Sequence, residues 1–342
     1  MRVLLTGATG FLGKRVLELL LEDPAVEGVD VVTRTKISHP DLRVRIASHD
    51  LSDPTIVGSD LGKHNDVVVH LAGLYDFAAS YSQNYLDNVL TAVNLAALMK
   101  ERRRSSLRVV VASTYAVGFE SEKPLDEKSL SHVPSRRSLF PHTKAVAEKV
   151  FTDSGLPGAV LRLGVLVGDT VHGRIERITG PYYLLQLAQR FGRIPGARFV
   201  HELPVPLRAG GVLPLVPVDC AARIFVEAAL RPPPADQAMP IYEVYNPTSV
   251  DQAEFARAAF QRLLPWAKPK PFDRIPEWMV RLQEPLTKVP SAIFAVALRP
   301  VPLGNPAFAA AFPTLSVPAF ESYQEAFFDG FAEFASGRAH AL

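Results

Sequence analysis

The stretch Val3-Leu4-Leu5-Thr6-Gly7-Ala8-Thr9-Gly10-Phe11-Leu12-Gly13 decides the fold of this chain. An apolar run ends in a glycine turn, and Leu12, Val16, Leu19 and Leu20 then recur at helical spacing. A strand turning directly into an amphipathic helix opens a dinucleotide-binding fold, and each glycine has a mechanical task in it. Gly7 permits the tight turn, Gly10 lets the backbone approach a pyrophosphate, and Gly13 lets the helix pack close to the sheet. The free N–H groups and positive end of the helix then face the phosphates. Thr6, Gly7, Thr9, Gly10, Phe11, Leu12 and Gly13 are therefore expected at the cofactor. A plain glycine-rich turn is the alternative; the setting between strand and helix argues against it.

Short apolar runs follow at 29–32, 67–69, 109–111 and 159–161, with helical segments between several of them, as at 85–100 and 143–152. Such alternation implies an α/β chain: a Rossmann-type doubly wound parallel sheet with a smaller C-terminal substrate-binding region. The expected division is a nucleotide domain over 1–168 with 216–240, and a substrate region over 169–215 and 241–342.

The chain has 342 residues, 48% hydrophobic and 21% charged, which suits a substantial core. A net charge of +2 gives no general affinity for polyanions, so no nucleic-acid partner is expected. The arginine runs at 102–104 and 136–137 read as solvated faces. Cys220 is the only cysteine, which excludes an internal disulfide and fits a reducing, cytoplasmic setting. No apolar run reaches the roughly 18 residues of a membrane span. The runs at 291–298 and 307–312 read as core. The histidines lack metal-ligand spacing, so no metal is expected.

The end of the second strand bears on cofactor choice. A carboxylate there accepts from the ribose hydroxyl of NAD(H). Here Thr33 and Arg34 occupy the position, and a guanidinium fork suits a 2′-phosphate. NADP(H) is therefore expected over NAD(H), with Lys36 as a second positive charge. Arg34 as a simple exposed strand-end charge is the alternative.

Over roughly residues 1–250 the chain resembles the extended short-chain dehydrogenase/reductases, the epimerase/dehydratase-like group. Gly7, Gly10 and Gly13 have the spacing of that family's cofactor turn. Asp50-Leu51 is similar to its adenine-contacting pair, and His70-Leu71-Ala72-Gly73 to the segment lining the nicotinamide side. Asn88 matches the usual helix asparagine, and the Val111–Gly118 stretch the strand bearing the active-site hydroxyl. Arg162 and Pro217-Val218-Asp219 fall in later motifs. Gly180 to Leu185 resembles the branch of thioester and acyl reductases, which implies a setting in secondary metabolism.

The resemblance implies a tyrosine four residues before Lys144, and Phe140 stands there instead. In the family the tyrosine moves the proton while hydride passes to or from the nicotinamide. The lysine holds the ribose and lowers the phenol pKa, and a serine or threonine fixes the substrate oxygen. Lys144 and Asn88 remain for their tasks. Ser113, five residues before Gly118, has the family spacing for the hydroxyl, with Thr114 as the close alternative. Losing general acid catalysis removes about 10²–10⁴-fold in rate. Tyr115, Tyr182, Tyr183 and His142 are the candidate stand-ins. Chemistry needing little acid help and a deliberately introduced Phe140 are the other accounts.

The expected activity is NADPH-dependent hydride transfer to a hydrophobic small molecule: a carbonyl, a conjugated alkene or an electron-poor ring. The alternatives are a non-catalytic NADP-binding protein, or a non-redox isomerase, lyase or cyclase. Trp266, Phe272, Trp278, Met279, Phe294, Phe308, Phe312 and Phe320, with a stripe at Phe327, Phe328, Phe331 and Phe334, read mostly as core and in part as pocket wall. The resemblance also implies a homodimer through 86–100 and 143–152, lined by Ala92, Leu95, Val146 and Val150.

Overall fold

The computed structural model describes residues 1–77, 79–103, 107–119, 121, 133–135, 139–208, 210–232, 238–272, 303–304 and 306–337. The elements run β1 (Arg2–Thr6), α1 (Phe11–Glu22), β2 (Gly28–Thr33), β3 (Val44–Ser48), β4 (Val67–His70), α2 (Tyr81–Asn84), α3 (Thr91–Glu101), β5 (Arg108–Thr114) and α4 (Leu139–Thr152). There follow β6 (Gly158–Leu163), β7 (Val165–Val167), α5 (Tyr182–Gly192), β8 (Glu202–Pro206), β9 (Val212–Leu213), β10 (Leu215–Pro217) and α6 (Val218–Leu230). The last are β11 (Ile241–Val244), β12 (Val250–Asp251), α7 (Gln252–Leu263), β13 (Lys268–Phe272), α8 (Pro306–Ala311) and α9 (Gln324–Ala335).

Two compact units form: residues 1–164, 218–244 and 301–317, and residues 165–217, 245–300 and 318–342. The first holds a seven-stranded sheet in the order β11-β6-β5-β4-β1-β2-β3, all pairs parallel. Both faces are covered, so β4 and most of β5 are near-continuous apolar runs. One face packs Leu4, Val68, Val109 and Val111 against Ala92, Leu95 and Met99 of α3 and Phe151 of α4. α1 and α6 pack on one another and on the strands. The order reverses between β1 and β4, and an open parallel sheet binds its ligand outside the strand ends at such a reversal.

Two strands of the seven-stranded sheet escaped the sequence pattern. β3 is an edge strand of mixed burial, so it lacks a clean apolar run. β11 is fully buried but carries Glu243, whose carboxylate accepts from Arg162. Its four residues belong to the main sheet, not to the substrate region expected from 241 onward. Conversely β7, and Val216 and Pro217 of β10, fell within the bounds expected for the nucleotide domain, yet the two strands pair with one another in the second unit. The expected helix at 85–100 is broken by a π-helical turn over Tyr85–Leu90. The helix carrying Lys144 begins at Leu139, placing Phe140 in its first turn.

Ala92 and Leu95 are fully buried in the core and cannot line a dimer contact; Leu86 and Val93 are the exposed apolar groups of that segment. Arg102 is not a purely solvated charge, since it donates to the Ser59 carbonyl at 2.6 Å. Cys220 is buried. In the second unit Tyr182, Phe255, Phe320, Phe327, Phe328 and Phe331 form one core, which is where most of the phenylalanine stripe goes. Arg104, Arg136, Arg137, the 291–298 run, Trp278, Met279 and Phe294 lie outside the described residues. Among the described residues no helix is long and apolar enough to cross a membrane.

Candidate functional site

The glycine turn is built by close backbone approach. Gly7 has φ +74°, and a Cβ there would lie 2.7 Å from the Ala72 nitrogen. A Cβ at Gly13 would lie 2.0 Å from the Gly7 carbonyl oxygen, so α1 packs on the turn only without a side chain. Thr6 is fully buried. Its hydroxyl meets His70 Nδ1 at 2.8 Å and accepts from the Ala72 N–H at 3.1 Å, tying the end of β1 to the loop after β4. Burial holds His70 down to about 3, with Lys144 adding to the effect, so the ring is a neutral brace.

Outside these strand ends lies a cleft of about 310 Å³. Of the residues expected at a cofactor, Gly7, Thr9, Gly10, Arg34, Asp50, Leu51, Leu71, Ala72 and Gly73 line it, joined by Val32, Thr33, Thr35, His49, Leu74, Asp87 and Thr91. Thr6, Phe11, Leu12, Gly13, Asn88 and Lys144 are not in its wall. Thr6, Leu12 and Gly13 are buried beneath it, so their part is to shape the turn. The first turn of α1 has no side-chain cap and no acidic residue, which leaves its N–H groups and dipole for an anion. A cleft of this lining, with an uncapped helix start at one wall and a guanidinium at another, fits a dinucleotide.

Arg34 stands just past β2 and donates to Asp87 Oδ1 at 2.9 Å. Asp87 sits in the π-helical turn and lines the same cleft. Sequence reading missed it; its one signal was its place beside Asn88. Asp50 is held by the Ser52 N–H and hydroxyl, at 2.9 and 2.8 Å.

At the other end, Asn88 is the hub. Its Oδ1 accepts from the Leu74 N–H at 2.9 Å, and its Nδ2 donates to Thr143 Oγ1 at 3.2 Å. A Cβ at Gly73 would meet Asn88 Oδ1 at 2.9 Å and Lys144 Nζ at 3.7 Å, so these groups converge on Gly73 of the cleft wall. Lys144 Nζ donates to the Ala112 carbonyl at 2.7 Å. Burial lowers its pKa to about 8, against the opposing pull of Glu148.

Phe140 is brought to the same helix face but is only 3% exposed. Its ring packs edge-on against Tyr75 and Phe77, with centroids 5.2 and 4.9 Å away. Ser113 is not brought to it. The Ser113 hydroxyl donates to Glu148 Oε2 at 2.8 Å, and Glu148 lies eight residues past Phe140 on α4, about 12 Å along the axis. Glu148 in turn receives Arg162 Nε at 3.0 Å, and Arg162 and Glu148 have no exposed side-chain surface. Ser113 is thus committed to a buried ion network. Thr114 faces away from that network and accepts from the Ala116 N–H at 3.2 Å, which leaves its hydroxyl hydrogen to donate.

The stand-ins divide similarly. Burial raises the Tyr115 phenol, with Tyr75 adding to the effect, and the Tyr115 ring meets Phe119 edge-on at 5.8 Å. His142 Nδ1 is 2.8 Å from the Pro134 carbonyl oxygen. Tyr182 is buried in the second unit, stacked on Phe327, with its hydroxyl accepting from the Gly168 N–H. Tyr183 is half-buried at the start of α5 in that unit.

A family model described as the NAD dependent epimerase/dehydratase family matches residues 3–190. The chain is similar to the L-2-aminoadipate reductase large subunit of Candida glabrata, 24% identical over 281 residues, covering 68% of this chain and 19% of that protein. It is also similar to fatty acyl-CoA reductase 1 of Gallus gallus, 25% identical over 286 residues, covering 66% and 54%. It therefore spans about a fifth and about half of these relatives. Among solved structures, the terminal R domain from the myxalamid PKS-NRPS biosynthetic pathway superposes with a TM-score of 0.75 at 20% identity, covering 98% of this chain and 91% of that one. MoeE5 in complex with UDP-glucuronic acid and NAD gives 0.66 at 16% identity, covering 98% and 100%. At such identities these structures carry the fold alone.

Proposed function

Because the chain belongs to the NAD dependent epimerase/dehydratase family, we propose that it is an NADPH-dependent oxidoreductase that passes hydride to a hydrophobic small molecule at a site where Phe140 replaces the usual tyrosine. The observation that carries the reading is the convergence of Lys144 and Asn88 on Gly73, in the wall of a cleft that begins at an uncapped helix start.

The nicotinamide dinucleotide, when bound, supplies the hydride. The Gly10 N–H closes the turn on the Gly7 carbonyl at 3.0 Å, and the uncapped first-turn N–H groups of α1 are left to meet the pyrophosphate. Arg34 meets the adenosine side, with Asp50 and Leu51 along the adenine. Lys144 holds ribose hydroxyls, kept in place by its bond to Ala112. Thr114, with a hydroxyl hydrogen to give, fixes the polar atom of the substrate. Tyr75 and Phe77, packed against the buried Phe140, present an aromatic wall, which favours an apolar substrate and excludes water. Without a proton donor at 140, the reading favours acceptors needing little acid help: an activated carbonyl, a conjugated alkene or an electron-poor ring. Similarity to an aminoadipate reductase and a fatty acyl-CoA reductase supports the reductive direction.

The test is turnover with 4-deuterated NADPH over a panel of aldehydes, thioesters and enones. Deuterium in the product supports the reading; turnover that leaves all label on the cofactor overturns it. The burial of Phe140 beneath Tyr75 and Phe77 also favours a second reading, a non-catalytic NADP-binding protein. Ketone reduction that arises only in Phe140→Tyr would mark a decayed site. Loss of an existing activity on that substitution would place Phe140 in the mechanism.

A further inference from the structure

Arg34 and Asp87 both line the cleft and meet there, one just past β2 and the other in the π-helical turn before α3. Arg34 Nη1 lies 2.9 Å from Asp87 Oδ1, with side-chain exposures of 64% and 23%. We propose that Asp87 is a cofactor-selecting residue: its carboxylate competes with a 2′-phosphate for Arg34 and accepts from a free ribose hydroxyl, so that the pair moderates the preference for NADPH over NADH.

The inference rests on the cofactor reading above. A guanidinium alone at the end of β2 selects strongly for a 2′-phosphate, because a bidentate charge-assisted contact is gained only by the phosphorylated cofactor. With Asp87 opposite, the arriving phosphate must displace a carboxylate from the same fork and then sit beside its negative charge. The dianion is repelled; a neutral hydroxyl is not. For that hydroxyl the carboxylate is an acceptor of the kind NAD-binding folds place at this end of the cleft. Here the acceptor comes from the helical side of the cleft, not from the strand, where Thr33 stands.

The turn that carries Asp87 is held independently of its side chain. The Asp87 carbonyl accepts from Thr91 Oγ1 at 2.8 Å, and the neighbouring Asn88 amide bonds Leu74, Asn84 and Thr143. Asp87→Asn should therefore leave the turn intact and remove only the charge.

The experiment is a fluorescence titration of the full chain with NADPH and with NADH, for wild type, Asp87→Asn, Arg34→Ala and the double variant, at low and at high salt. Asp87→Asn is expected to tighten NADPH about tenfold and shift NADH less than about threefold, the difference shrinking as salt screens the charge. Arg34→Ala is expected to invert the preference toward NADH, and adding Asp87→Asn to it should cancel that inversion. Binding of both cofactors with an unchanged ratio in Asp87→Asn overturns the proposal and leaves the cofactor reading standing. No binding of either cofactor by the wild type overturns the cofactor reading, and this inference with it. Thermal melts with 2′-AMP and 5′-AMP repeat the comparison if a variant proves too unstable to titrate: a selective gain for 2′-AMP in Asp87→Asn supports the proposal, and equal shifts overturn it.

Discussion

The ring of Phe140 stands edge-on to that of Tyr75, centroids 5.2 Å apart and planes at 83°. Phe77 closes the group at 4.9 Å from Phe140 and 5.6 Å from Tyr75. The position that the resemblance assigns to a proton donor is thus the buried member of an aromatic cluster. Phe140→Ala is expected to cost about 3–5 kcal/mol of stability, the range for removing a buried phenylalanine. Urea unfolding measures it, and a loss below about 1 kcal/mol would show that the cluster does not hold in solution.

Ser113 and Thr114 should separate into stability and turnover. Ser113→Ala leaves Glu148 short of one donor in a buried network, at a cost of about 1–3 kcal/mol, with turnover little changed. Thr114→Ala should lower turnover about tenfold or more while stability falls by only about 1 kcal/mol, the loss of one local cap. Chemical denaturation beside steady-state rates decides between them, and the reverse pattern would return the oxygen-fixing role to Ser113.

Lys144 sets a pH dependence. Its pKa is lowered from 10.5 to about 8 by burial, so the folded chain gives up this proton before the unfolded chain does. The penalty for burying the ammonium is fully present below about pH 8 and is relieved as pH rises toward 10.5, where the unfolded lysine also titrates. Ribose holding by a cation runs the other way. NADPH affinity is expected to be flat from about pH 7, where the 2′-phosphate is already a dianion, to about pH 8 and then to fall, by up to about tenfold per pH unit for a single proton. Lys144→Met should bind more weakly and lose that limb. Titrations from acid to alkaline pH check both curves.

Gly10 and Gly13 should fail in different ways. A Cβ at Gly13 would sit 2.0 Å from the Gly7 carbonyl oxygen, against backbone that cannot yield, whereas at Gly10 the nearest contact is 3.3 Å. Gly13→Ala should therefore unfold or strongly destabilise the first unit. Gly10→Ala should fold, with a melting temperature near wild type, yet lose NADPH binding because the methyl group occupies the pyrophosphate approach. Equal stability of the two variants would contradict the packing described.

The division between sequence and structure follows from what each kind of signal depends on. The doubly wound sheet and the glycine turn were legible because they rest on local pattern: a valine run between two helical layers, and glycines where a Cβ meets backbone. Asp50, Leu51 and the Leu71–Gly73 loop came from the family resemblance, and all of them line the cleft. The partners of the polar side chains were not legible. Ser113 has the spacing of a site hydroxyl, yet the buried Arg162 and Glu148 draw it inward. Arg34 reads as a free fork, yet Asp87, 53 positions away in sequence, holds it. Thr6 and Leu12 sit in the cofactor motif, yet they face the core beneath it. The chain's own order determines which residues end a strand or start a helix, because those preferences act over a few neighbours; which charge meets which hydroxyl is decided only when distant segments pack together and every buried polar group must find a partner.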